Sequence, residues 1–143
     1  MLPRFWRKIK YRYNLIGTYC ENCDTYYYPP RNLCPKCRRK GKIKEVKLSG
    51  KGKVISYTIV HEAPENFKMM KPYVLALIQL DEGPIVTSQL VCKPEEVKIG
   101  MRVKAAFRKY GEEGEDGIIY YGTKFIPDRE WSARKEKYNK NIK

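Results

Sequence analysis

The sequence predicts a mostly β chain in which a short helical arm, a small four-cysteine ribbon and a five-stranded barrel follow one another. Three observations predict it. Apolar side chains recur at helical spacing in the first dozen residues, two CxxC pairs lie between residues 20 and 37, and five strand-like segments fill the stretch from 54 to 126. The 143 residues, 42% of them hydrophobic, suffice for one core of ordinary size but not for two. The longest apolar runs, such as Val74 to Ile78, fall far short of the roughly 20 residues of a membrane span, and no apolar stretch follows the basic start as in a secretory signal. A soluble, cytoplasmic protein with no membrane partner is therefore expected. In a reducing compartment, five cysteines speak for metal or burial rather than for disulfides.

In the arm, Leu2, Phe5, Trp6, Ile9 and Tyr13 share one side of a short amphipathic helix and Arg7, Lys8, Lys10 and Arg12 the other, with Pro3 suited to its first turn. A helix this short needs a surface for its Phe5 and Trp6 face, on its own domain or on a partner. Period-two alternation from Tyr13 to Tyr19 leads into the paired cysteines. After a basic stretch come the strand-like segments 54–61, 73–80, 85–91, 101–110 and 118–126. Asp81-Glu82-Gly83-Pro84 reads as a tight hairpin, Gly111 to Gly117 as a charged loop, and Lys93 to Val97 as one helical turn. Five strands in about 75 residues fit an OB-fold barrel, with an SH3-like barrel as the rival. The expected divisions are an arm and lead-in strand over 1–17, a rubredoxin-like zinc ribbon over 18–48, the barrel over 49–128 and a basic tail over 129–143 carrying Trp131 and Tyr138.

The cysteines carry the chemistry. Cys20-Glu21-Asn22-Cys23 and Cys34-Pro35-Lys36-Cys37, ten residues apart, each form a tight knuckle whose two sulfurs face one point. Four thiolates close a tetrahedron that leaves no coordination site for water, so the metal is structural. Zinc is the expected ion, one per chain; iron accepts the same donor set. Little apolar core is available here, so the metal supplies most of the folding free energy, on the order of 10 kcal/mol. Cys92 and the single histidine, His61, have no base or nucleophile nearby in sequence, and no phosphate-binding glycine motif is present. No residue argues for catalysis.

Charge is unevenly spread. Residues 1–53 hold 15 Lys+Arg against 3 Asp+Glu, residues 54–128 hold 9 against 11, and residues 129–143 hold 6 against 2. The front end therefore suits an anionic partner, while the barrel does not have the basic stacking groove of an OB-fold that tracks single strands. Single-stranded nucleic-acid binding is the alternative function, favoured by the sequence pI of about 9.6.

Phe5-Trp6-Arg7, Arg12-Tyr13-Asn14-Leu15-Ile16-Gly17, both CxxC pairs, Tyr28-Pro29-Pro30-Arg31, Gly52-Lys53-Val54-Ile55-Ser56-Tyr57-Thr58 and Ile99-Gly100-Met101-Arg102-Val103 resemble the zinc-ribbon OB-fold proteins linked to acyl-CoA metabolism. The likeness covers all but the last fifteen or so residues, and Pro29-Pro30-Arg31 is its most specific element. Asp24 departs from the family, which usually has glycine after the second cysteine. The resemblance implies a non-catalytic companion of thiolase-superfamily enzymes. Specifically, it implies the archaeal subunit that holds acetoacetyl-CoA thiolase against 3-hydroxy-3-methylglutaryl-CoA (HMG-CoA) synthase in the mevalonate pathway. On that reading Phe5, Trp6, Tyr11, Tyr13, Tyr27 and Tyr28 are candidate partner contacts. Arg7, Arg12 and Arg31 are candidates for either CoA phosphates or partner carboxylates.

Overall fold

A computed structural model describes residues 2–130. The tail over 131–143, with Trp131 and Tyr138, lies outside the described residues. The single predicted arm helix is broken into α1 (Leu2–Arg7) and α2 (Ile9–Asn14). The Lys8 amide turns back to the Phe5 carbonyl, and the Tyr11 and Arg12 amides both bond the Lys8 carbonyl. Neither half is long enough to be stable alone, so docking decides the geometry. Phe5 packs edge-on against Tyr120, and Tyr13 against Phe107. Of the Phe5 and Trp6 face, expected to dock on the chain itself or on a partner, Phe5 packs within the chain while Trp6 stays 60% exposed.

Leu15 ends α2 in the left-handed region, φ 51°, and turns the chain into β1 (Ile16–Cys20). The ribbon sheet places β1 between β2 (Thr25–Tyr27) and β3 (Ile43–Lys47), all antiparallel. The barrel follows with β4 (Lys51–Val60), β5 (Tyr73–Leu80), β6 (Ile85–Leu90), β7 (Arg102–Glu112) and β8 (Ile119–Pro127). It closes in the order β4-β5-β6-β8-β7, with β7 returning to β4, as expected of a five-stranded OB-fold. A 3₁₀ helix, Glu65–Met70, occupies the β4–β5 connection. Lys93 to Val97, expected as a helical turn, is an ordinary turn in which the Glu96 amide bonds the Lys93 carbonyl. Its Val97 is 4% exposed and joins the core, so apolar anchoring rather than helix formation fixes this connection.

Alternation along β5 buries Val74, Ala76, Ile78 and Leu80 against Val54, Val86, Leu90, Val103 and Phe125. Leu15 and Leu48 belong to the same cluster, so ribbon and barrel share one core. Gly52 sits where β4 crosses β5 closely. A Cβ there would lie 2.4 Å from the Gln79 carbonyl oxygen. At the hairpin after β5, both terminal nitrogens of Arg102 donate to the Asp81 carboxylate at 2.7 Å.

Gly52→Ala is expected to destabilise the barrel by about 1–3 kcal/mol in urea unfolding, because backbone rather than a flexible side chain must yield. The Arg102 hydrogen bonds hold the Asp81 carboxyl below its ordinary value of 3.8. Its stabilisation is therefore full above that ordinary value and lost as pH falls through the lower folded one. The pair is partly exposed, so Asp81→Asn should cost no more than about 1 kcal/mol at pH 7. That gap should close in strong acid; a gap that persists there would mean the pair contributes nothing through charge.

Candidate functional site

The chain reverses tightly after each CxxC pair. Asp24 and Arg38, the residues following the two pairs, both take positive φ, 50° and 51°. Asp24 adopts this conformation without the freedom of glycine, and its carboxylate accepts a hydrogen bond from the Tyr19 hydroxyl, which pushes the Tyr19 pKa up to about 12. Gly41 lies against the second knuckle, where a Cβ would stand 2.7 Å from that of Cys34.

These turns bring the Sγ atoms of Cys20, Cys23, Cys34 and Cys37 within 4.8 Å of one another. A zinc tetrahedron with bonds of about 2.3 Å has sulfur–sulfur edges of about 3.8 Å, so the cluster has the right size. The Cys23 and Cys34 sulfurs are 3.5 Å apart, far beyond the roughly 2.05 Å of a disulfide. Donors converge on the sulfurs: the Asn22 side-chain amide on Cys37 at 3.0 Å, and the Cys37 backbone amide on Cys34 at 3.4 Å. The Tyr27 hydroxyl lies 3.4 Å from the Cys34 sulfur, and that contact raises the Tyr27 pKa. Such second-layer donors stabilise thiolate charge, the state a bound metal requires. The four cysteines fit a structural zinc ion, which would cross-link the end of β1, the turn between β1 and β2, and the loop before β3.

The second feature is a groove of about 970 Å³ between arm, ribbon and barrel. Arg4, Lys8 and Arg12 form its arm wall, Tyr28, Pro29 and Pro30 its ribbon wall, and β6, Tyr110 and β8 its floor. Arg12 also lies over the Phe5 ring, 5.2 Å from its centroid. The Thr123 hydroxyl donates to the Arg12 carbonyl at 2.9 Å, tying the arm to β8.

The structure distributes the candidate contacts unevenly. Of the three arginines only Arg12 lines the groove; Arg31 lies over the Tyr27 ring on the ribbon, and Arg7 is exposed on α1. Tyr11 donates to Glu45 on β3 at 2.6 Å, Tyr13 packs on Phe107, and Tyr28 packs against the shared core. Much of their surface is thus committed within the chain, whereas Trp6 is not. Sequence reasoning missed Arg4, Lys8, Tyr110 and Tyr120. The i, i+4, i+8 spacing of Arg4, Lys8 and Arg12 was an available signal for the first two. The tyrosines come from strands remote from the arm and carried none. Cys92 lies apart from the cluster, and burial raises its thiol pKa, the opposite of nucleophile activation.

A zinc chelator is expected to release one metal ion per chain and to strip β1–β3 of amide protection while β4–β8 retain theirs. A folded, purified chain with no stoichiometric metal would contradict the assignment.

Two family models match the chain: the rubredoxin-like zinc ribbon domain of ChsH2 over residues 7–42, and its C-terminal OB-fold domain over residues 45–108. A DUF35 domain-containing scaffold protein of Methanocaldococcus jannaschii is 57% identical over 128 residues, covering 89% of this chain and 91% of that protein. A probable enoyl-CoA hydratase alpha subunit of Thermomonospora curvata is 36% identical over 69% of this chain, which spans 31% of that protein. The solved structure of an Ltp2-ChsH2(DUF35) aldolase superposes with a TM-score of 0.64 at 31% identity, over 87% of this chain and 92% of that one. By sequence and by architecture, the chain belongs to the DUF35 family, in which a ChsH2-like zinc ribbon precedes an OB-fold barrel.

Proposed function

We propose that this chain is a non-catalytic scaffold that holds acetoacetyl-CoA thiolase against HMG-CoA synthase, coupling acetyl-CoA condensation to HMG-CoA formation in the mevalonate pathway. The observation that carries the reading is the likeness, over nearly the whole chain, to an archaeal protein named as a scaffold. The ties of two other relatives to an aldolase and to enoyl-CoA hydration support acyl-CoA enzymes as the class of partner.

Two acetyl-CoA molecules and acetoacetyl-CoA equilibrate in favour of cleavage. Keeping the second enzyme beside the first raises the effective concentration of the intermediate and lets the favourable step capture it. A scaffold contributes surfaces rather than nucleophiles. Trp6 offers an uncommitted aromatic anchor, and Arg7, Arg12 and Arg31 offer cations for partner carboxylates or for the phosphates of a shared CoA or acyl-CoA.

Affinity purification of the tagged chain from its native host is expected to bring down both enzymes together, and Trp6→Ala is expected to weaken their retention about tenfold or more. Recovery of neither enzyme would sink the proposal. Titration calorimetry of the isolated chain with CoA tests the subsidiary point: heat lost in Arg12→Ala indicates direct contact, and absence of heat leaves the arginines to protein partners.

A further inference from the structure

The barrel is closed unequally. β5 and β6 pair at six positions and β7 and β8 at nine, whereas β6 and β8 pair, in parallel, at one position only, Leu90 with Phe125. The Val91 amide donating to the Phe125 carbonyl at 2.8 Å and the Ser88 hydroxyl donating to the Thr123 carbonyl at 3.2 Å reinforce that point. Beyond it the two strands diverge. At Ser88 and Thr123 that hydroxyl bridge closes the gap, and the Thr123 carbonyl accepts a second hydrogen bond from the Tyr110 hydroxyl at 2.8 Å. The edges at 86–87 and 120–122 face the groove with no strand between them among the described residues.

The walls above these edges have a definite chemistry. Arg4, Lys8 and Arg12 make no ion pair among the described residues, and the one acidic residue lining the groove, Glu113, accepts a hydrogen bond from the Tyr120 hydroxyl at 2.6 Å. No acidic residue occurs before Glu21. Five tyrosines and two prolines supply nearly half of the remaining lining.

We propose that this groove receives an extended acidic segment of a partner protein, which adds its backbone to the open strand edges between β6 and β8. An unpaired strand edge takes a peptide backbone by hydrogen bonding, and alternate side chains of the guest then point to opposite sides. One set meets the tyrosine floor and the other meets the arm cations. Nucleic acid has the negative charge but lacks the backbone amides and carbonyls that the strand edges require. The proposal rests on the scaffold reading for its partner, although the groove can be tested without it.

The probe is a synthetic decapeptide of alternating glutamate and valine, with a lysine–valine decapeptide as control. Titrated into the isolated chain, the acidic peptide is expected to bind, to protect in hydrogen exchange those amides of residues 86–87 and 120–122 that point away from β5 and β7, and to weaken as salt rises. Arg4→Glu combined with Lys8→Glu, both exposed on the arm, should reduce its affinity about tenfold or more with thermal stability unchanged. Equal binding of the lysine peptide, or binding without protection of those amides, would overturn the proposal. Protection of the same amides by CoA alone or by a mixed oligonucleotide, with none from the acidic peptide, would also overturn it, by assigning the groove to that ligand. If the peptide behaves as expected while neither enzyme co-purifies, the groove stands and the thiolase–synthase reading fails.

Discussion

Leu15 and Leu48 are the two buried side chains on which the arrangement of the whole molecule depends. They are 5% and 3% exposed and belong to the barrel core, although Leu15 ends the arm and Leu48 ends the ribbon. The Leu48 amide donates to the Leu15 carbonyl at 3.0 Å, and two residues later the Ala105 amide donates to the Gly50 carbonyl at 2.7 Å. Gly50, at φ +71°, passes so close to Ala105 that an added Cβ would lie 2.8 Å from its methyl group. The three parts are therefore packed against one another rather than strung on linkers. Burying two leucines contributes about 3–6 kcal/mol to this junction. Without the junction, Pro29 and Pro30 would not face β8, and the groove would have no walls.

Metal and core divide the work of stabilisation. The ribbon's three short strands bury few apolar side chains of their own, and two of its most buried residues, Cys20 and Cys34, are members of the sulfur cluster. The barrel has the opposite character, with a continuous aliphatic interior from β4, β5, β6, β7 and β8. The ribbon carries both prolines that line the groove, so a metal held by its four cysteines would also fix the shape of the groove's ribbon wall.

Most of the architecture was legible because it is written in local periodicity. Alternation gave each barrel strand to within a few residues, and the spacing of Cys20, Cys23, Cys34 and Cys37 requires sulfurs that face one another. The rest depends on contacts between distant segments. Nothing near Lys8 announces a break; it follows from how Phe5 meets Tyr120 and Tyr13 meets Phe107 more than ninety residues later. Lys124 would be placed at the surface by composition, yet it is 4% exposed, lying over the Tyr110 ring and beside the Met70 sulfur, and burial lowers its pKa. Gly122 leaves room for that same Tyr110 ring, a packing relation with no pattern along the chain. The groove belongs to this class, since its walls come from the arm, the ribbon and three barrel strands.

The parallel orientation of β6 and β8 gives the seam a polarity. Between antiparallel neighbours an inserted strand would run parallel to one flank and antiparallel to the other. Here the two flanks run the same way, so an incoming segment can be antiparallel to both at once, the slightly more stable pairing. Such a segment has one preferred direction along the molecule, running from the Leu90–Phe125 end outward. A partner segment received as proposed would therefore be held not only in a set place but with a set direction as it leaves.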